Sequence, residues 1–438
     1  MTRRALLMAE FRFPDGFLWG TATSAHQVEG NNVHNDWWAW EQAGRVHERS
    51  GLACDQYYRF ADDFDLAASL GHNAHRFSLE WSRIEPREGQ WDDEAIAHYV
   101  EVVRALRVRR LEPVVTLHHY TNPHWLHQAG GWTNAKTVDR FARYTERVAA
   151  ALIPLVRYWI TFNEPMVYVH MHYIEGVGPP GARDVRQALR VTQHLLHAHA
   201  AAHQVLHAVA RDTGAAVQVS VAKYSPVFVP CRPAWPLDRV ASSLTDRVFN
   251  AAFLEALTEG RWSVPGLARW TIREAARTLD FLGVNFYRRQ FIRGGWRPSR
   301  WVGAACSELH ASHGTKERSA MGWDVSPEAF FRTLVRWGSL GVPILVTENG
   351  TWMQDDSDRW KFIARHLAAV AEALGQGVRV LGYLYWSLID NFEWAHGFGP
   401  RFGLIEVDYA TQRRTIRDSA RKYAEVCKSN RLLLENEN

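Results

Sequence analysis

Two glutamates stand where chemistry could be done. Glu164 closes the run Arg157-Tyr158-Trp159-Ile160-Thr161-Phe162-Asn163, and Pro165 stops that run from pairing further. Glu348 closes Ile344-Leu345-Val346-Thr347 and is followed by Asn349-Gly350. Both runs are short, apolar and β-branched, the signature of buried strands. A lone carboxylate after such a strand can cap the next helix or pair with an arginine. Two of them on different strands, each beside an asparagine, suit another task. Paired carboxylates across a cleft are the machinery of glycoside hydrolysis, one donating and withdrawing a proton while the other attacks or stabilises.

Such a pair needs a scaffold that gathers strand ends. Strand signals fall at 17–23, 73–79, 112–118, 157–163, 217–223, 281–286, 344–347 and 380–386. Helical patterns follow each of them, at 54–70, 92–110 (with Asp92 as N-cap), 137–151, 185–212, 240–259, 327–339, 358–374 and 416–427. Alternating strand–helix units imply a parallel sheet of the α/β class. Eight such units spread over the whole chain fit a single (β/α)8 barrel with extended βα loops, and barrel enzymes carry their chemistry at the carboxyl ends of the strands. One catalytic domain over residues 1–438 is expected, with 1–12 as an irregular tail and 294–323 as a long loop over the barrel mouth.

The composition closes off other classes. The 438 residues are 47% hydrophobic and 22% charged, ordinary for a globular protein. No stretch approaches the roughly 20 apolar residues of a membrane helix. The net charge of +4 comes without a dense basic stripe, so no nucleic-acid partner and no membrane partner are expected. Arg107, Arg109 and Arg110 sit at a helix end, where the helix dipole favours cations. No glycine-rich phosphate fingerprint opens any helix, so no cofactor is expected. The four cysteines, Cys54, Cys231, Cys306 and Cys427, are far apart, which predicts reduced thiols. The apolar run after Arg3 and Arg4 is too short for a signal peptide, so a cytoplasmic location is expected.

Histidine and tryptophan are unusually frequent. His194, His197, His199, His203 and His207 crowd one helix, and the spacing of His199, His203 and His207 could chelate. No carboxylate completes an HExxH pattern there, and the helix is on the barrel exterior, so no functional metal is expected. His118 and His119 are neighbours in a strand and face opposite sides. The 20 tryptophans either fill core or offer flat apolar faces to sugar rings.

Four ordered stretches resemble glycoside hydrolase family 1, the β-glucosidase and β-glycosidase family, over residues 13–423. Phe17-Leu18-Trp19-Gly20-Thr21-Ala22-Thr23-Ser24-Ala25-His26-Gln27-Val28-Glu29-Gly30 is similar to its N-terminal signature. Thr161-Phe162-Asn163-Glu164-Pro165 resembles its acid/base motif, and Val346-Thr347-Glu348-Asn349-Gly350 its nucleophile motif. Trp386-Ser387-Leu388-Ile389-Asp390-Asn391-Phe392-Glu393-Trp394 resembles its sugar-binding loop.

The resemblance implies a retaining hydrolase of β-D-glucosyl and related β-D-galactosyl or β-D-fucosyl residues. Glu348 would be the nucleophile and Glu164 the acid/base. Arg76 would sit beside the nucleophile, Tyr287 would orient it, Asn163 would hold the sugar 2-OH, and Asn285 would help on the nucleophile side or in the +1 subsite. Gln27, His119, Glu393 and Trp394 would clamp the glycone over Trp386, with Phe402 closing the pocket. Trp132 would add a glycone contact and Trp323 would line the aglycone site. The expected partner is a small β-glycoside or oligosaccharide, and an oligomer is compatible with the sequence. Two departures, Tyr120-Thr121-Asn122-Pro123 for the usual Trp-Asp-Leu-Pro and His26 for a common Tyr, bear on the aglycone; Phe286 also replaces a usual Tyr. The alternatives are a non-catalytic sugar receptor, whose relatives lose one catalytic Glu, and a 6-phospho-β-glucosidase, whose relatives replace the acidic residue at the Glu393 position.

Overall fold

The computed structural model describes residues 8–295, 304–306 and 317–435. Eight parallel strands close into a barrel: β1 (Leu18–Ala22), β2 (Ala74–Ser78), β3 (Glu112–His118), β4 (Tyr158–Asn163), β5 (Gln218–Tyr224), β6 (Leu282–Phe286), β7 (Ile344–Asn349) and β8 (Val380–Trp386). Strand β8 pairs with β1, Tyr383 beside Trp19 and Tyr385 beside Thr21, so no edge is left open. The principal outer helices are α1 (Gln56–Ser69), α2 (Asp93–Val108), α3 (Lys136–Leu152), α4 (Val185–Thr213), α5 (Ala252–Glu259), α6 (Pro327–Gly338), α7 (Asp356–Gly375) and α8 (Asp418–Ser429). Asp92 caps α2 by accepting the Ala95 amide at 3.0 Å.

The barrel interior is stacked in levels. Ala74, Val114, Tyr158, Ile160, Ala222, Phe281, Leu345 and Leu384 form an apolar plug low in the barrel. Side chains alternate along a strand, so Ala74 in the plug puts Arg76, two residues on, further up the same inner face. The opposite faces of the strands join the helices in a larger apolar layer that holds Phe77, Val115, Trp159 and Val346. Register shifts interrupt the pairing between Ile160 and Asn163, between Val284 and Asn285, and between Val346 and Asn349. Such shifts re-aim side chains. Here they fall beside the asparagines and glutamates at the strand ends.

Several expectations change. Residues Met8–Arg12 are a strand paired antiparallel with Arg431–Glu435, not an irregular tail. The helix expected over 240–259 is broken by a π-helical turn at Arg247–Ala251. Cys231 and Cys306 form a disulfide rather than two thiols, while Cys54 and Cys427 are free and buried. The pairing is tertiary in origin: Val227–Pro230 runs beside Arg289–Arg293, and Cys231 and Cys306 donate their amides to Ile292 and Phe291 on that second strand. The loop expected over 294–323 falls largely outside the described residues. Its described end, 317–323, returns to the barrel mouth with Trp323. No helix among the described residues is long and apolar enough to cross a membrane.

Candidate active site

Arg76 organises the floor of the barrel mouth. Its side chain is fully buried in β2. Nη1 donates to Glu348 Oε1 at 2.5 Å, Nη2 to Asn163 Oδ1 at 2.7 Å, and Nε to Thr116 Oγ1 at 3.0 Å. A buried guanidinium without an anion would be very costly, and the carboxylate of Glu348 supplies it. The phenol of Tyr287 donates to the other oxygen of Glu348 at 2.5 Å. Glu348 is thus held at both oxygens by groups from two other strand ends.

Glu164 is held just as closely. Asn285 donates to its Oε1 at 2.9 Å and to Asn163 Oδ1 at 3.1 Å, while accepting from Thr347 Oγ1 at 2.7 Å. Asn285 therefore bears on the Glu164 side as well as on β7. Tyr120 donates its hydroxyl hydrogen to Glu164 Oε2. Burial raises the Glu164 carboxyl to about 7, the charge of Glu348 adds to the rise, and the Tyr120 and Asn285 hydrogen bonds and Arg76 oppose it. One carboxyl of the pair is thus kept protonated up to neutrality beside another that is ion-paired, the environment that separates an acid from a nucleophile. Glu164 has φ +45° and Tyr120 φ +70°, left-handed conformations costly for side chains with a Cβ.

The remaining site residues form a wall and a rim. Trp386 packs with Ala22 and Phe402, and Tyr287, Met321, Trp323 and Trp352 lie against that cluster. Gly350 lets the chain beyond Glu348 pass the floor, since a Cβ there would stand 1.9 Å from the carbonyl oxygen of Trp386. His119 stacks between Trp386 and Trp394, with ring centroids 6.0 and 6.1 Å away. Its Nε2 is 3.1 Å from the Asn163 side-chain nitrogen, and burial keeps the ring neutral. Gln27 donates to Glu393 Oε2 at 3.2 Å, to Asn391 Oδ1 at 3.0 Å and to the Phe392 carbonyl at 2.9 Å. Burial raises the Glu393 carboxyl to about 8, with Glu348 and Glu164 adding to the rise. Trp394 has φ +51°.

Trp132 is a correction. Its indole is fully buried among His118, Phe141 and Phe162, and its N–H goes to Asn122 Oδ1 at 2.8 Å. It packs behind the site and offers no face to a sugar. Tyr120 is the residue that sequence reasoning under-read. It follows His119 directly in the chain, and the sequence points its departure towards the aglycone, whereas the hydroxyl reaches Glu164. His26 is likewise committed inside the protein, to Glu41 at 2.8 Å and Asn35 at 3.0 Å.

Comparison with known proteins agrees with this arrangement. The family model described as Glycosyl hydrolase family 1 matches residues 9–432. The solved β-glycosidase from Pyrococcus horikoshii superposes with a TM-score of 0.90 at 39% identity, covering 97% of this chain and 96% of that one. A β-glucosidase from Thermotoga maritima, solved in complex with deoxynojirimycin, superposes with a TM-score of 0.87 at 30% identity, covering 96% and 99%. The bifunctional β-D-glucosidase/β-D-fucosidase of Bifidobacterium breve is 32% identical, over 93% of this chain and 96% of its own. With the barrel, the strand-end glutamates and a match along nearly its whole length, the chain belongs to glycosyl hydrolase family 1.

Proposed function

We propose that the protein is a retaining β-glycosidase that removes terminal β-D-glucosyl, and also β-D-galactosyl or β-D-fucosyl, residues from small glycosides. One observation carries the reading: Arg76, Asn163 and Asn285 tie Glu348 and Glu164 into one hydrogen-bonded set, with the first ion-paired and the second held protonated towards neutrality.

In this reading Glu348 attacks the anomeric carbon while Glu164 gives its proton to the departing oxygen. The glycosyl ester on Glu348 is then opened by water, whose proton Glu164 takes. Arg76 and Tyr287 orient the nucleophile, and Asn163 meets the sugar 2-OH. The neutral His119 and the Gln27–Glu393 pair address the other glycone hydroxyls. Trp386, Trp394 and Phe402 shape the apolar faces, and Trp323 borders the aglycone. The chain works as one catalytic domain, without a cofactor, in the cytoplasm.

A panel of nitrophenyl β-glycosides, with kcat/KM for each, tests the proposal. The glucoside, galactoside and fucoside are cleaved with retention of configuration at the anomeric carbon. An inverted first product, or no turnover of any of the three, overturns it.

A further inference from the structure

Helix α4 and the turn before β6 bring three metal-type ligands together at the far end of the barrel from the glutamates. An outer helix of a βα barrel runs antiparallel to the strands, so the carboxyl half of α4 lies at the end where strands begin. His203 and His207 are one turn apart there and share a helix face. Asp280 stands at the same end, two residues before β6. His207 Nε2 is 2.8 Å from Asp280 Oδ2, and His203 Nε2 is 3.8 Å from Asp280 Oδ1. The three donor atoms all lie within 4.8 Å of one another.

The surroundings resemble those of a ligand set. His203 Nε2 is buried and has no hydrogen-bond partner among the described residues. Asp280 Oδ2 accepts the Val219 amide at 2.8 Å, which fixes the carboxylate as an outer-shell contact does. His199, one turn earlier, is already committed to Thr161 Oγ1 at 2.7 Å and to the Thr278 carbonyl at 3.0 Å. A tetrahedral site with bonds near 2.0–2.1 Å spaces its donors about 3.3 Å apart. The 2.8 Å from His207 Nε2 to Asp280 Oδ2 and the 4.8 Å that bounds the spacing of the three donors lie on either side of that value, so side-chain rotations can bring the set to it.

We propose that His203, His207 and Asp280 form a binding site for one divalent transition-metal ion of the zinc, cobalt or nickel type. Two imidazoles and one carboxylate suit such ions better than magnesium or calcium, which prefer all-oxygen shells. Water fills the fourth position. The ion ties α4 to the turn before β6 and, through Val219, to the start of β5, so its effect is on stability. Spacing along α4 alone does not reveal the site, because Asp280 lies 73 residues after His207 in the chain.

The test uses the full chain freed of metal by a chelator. Titration with zinc chloride, followed by calorimetry, gives one ion per chain. Thermal unfolding moves upward with zinc and not with magnesium, since binding to the folded state alone stabilises it. His203→Ala removes a nitrogen without a protein hydrogen bond, so the fold persists. It lowers zinc affinity about a hundredfold, the upper range for losing even an outer-shell contact, and leaves kcat/KM unchanged. His207→Gln repeats the loss. Zinc binding that is absent from the parent chain, or that survives both substitutions undiminished, overturns the proposal and leaves only a His207–Asp280 ion pair.

Discussion

The hydroxyl of Tyr120 donates a hydrogen bond to Oε2 of Glu164. That bond favours the ionised carboxylate, against the burial that raises Glu164 to about 7. Hydrolysis needs Glu164 protonated at the start, so kcat/KM falls as pH rises through about 7. Part of the rise in the Glu164 pKa comes from the charge of Glu348, so this alkaline limb belongs to the pair rather than to Glu164 alone. Tyr120→Phe removes a bond that lowers the Glu164 pKa, so the alkaline limb moves up by about one pH unit, the equivalent of roughly 1.4 kcal/mol. An unaltered alkaline limb in the pH–rate profile of this variant would deny Tyr120 any influence on Glu164.

Leaving-group dependence separates the two glutamates. Glu164→Gln cannot donate the proton that a poor leaving group requires. Turnover of alkyl or nitrophenyl glycosides falls by about 100- to 10,000-fold, the usual span of general acid catalysis, while dinitrophenyl glycosides lose far less in the first step. Pre-steady-state measurement of both substrates checks this, and equal losses would remove Glu164 from the role.

Glycone charge is the third outcome. Glu393 is partly buried beside Gln27, and burial with two neighbouring glutamates raises it to about 8. The burial and neighbouring glutamates that oppose ionisation of Glu393 would equally oppose a 6-phosphate dianion in this pocket, where like-charge juxtaposition costs several kcal/mol. Arg401 lies near in sequence, but it reaches Asp390 Oδ2 at 3.4 Å and the Val407 carbonyl at 3.0 Å, with its guanidinium 4.6 Å from the Tyr409 ring. Nitrophenyl β-D-glucoside is therefore cleaved and its 6-phosphate is not. Comparing kcat/KM for the two decides it, and a preference for the phosphorylated sugar would refute the glycone assignment.

The barrel was readable because each strand is a short apolar run and each helix has a distinct amphipathic pattern. Strands 112–118 and 380–386 coincide with β3 and β8, and Asp92 caps α2 as its position suggested. The strand-end glutamates were readable for the same reason. What sequence did not carry was contact across the chain. The Cys231–Cys306 bond depends on the pairing of two strands far apart in sequence. Trp132 and Trp386 are the same residue type in similar company, and only packing separates a core indole from a pocket floor. The inward turn of Asn163 and Glu348 depends on register shifts that strict alternation does not foresee.

The central claim is that Glu348, held by Arg76 at 2.5 Å and Tyr287 at 2.5 Å, forms the covalent bond to the sugar. Glu348→Gly removes the carboxylate and leaves room for a small anion. Turnover of dinitrophenyl β-D-glucoside by this variant falls by several orders of magnitude. Added azide restores it, and the product, identified by nuclear magnetic resonance, is the α-glucosyl azide, because the anion attacks from the side that Glu348 has vacated. Wild-type-like hydrolysis by the variant, or a β-glucosyl azide as the rescued product, would contradict the account.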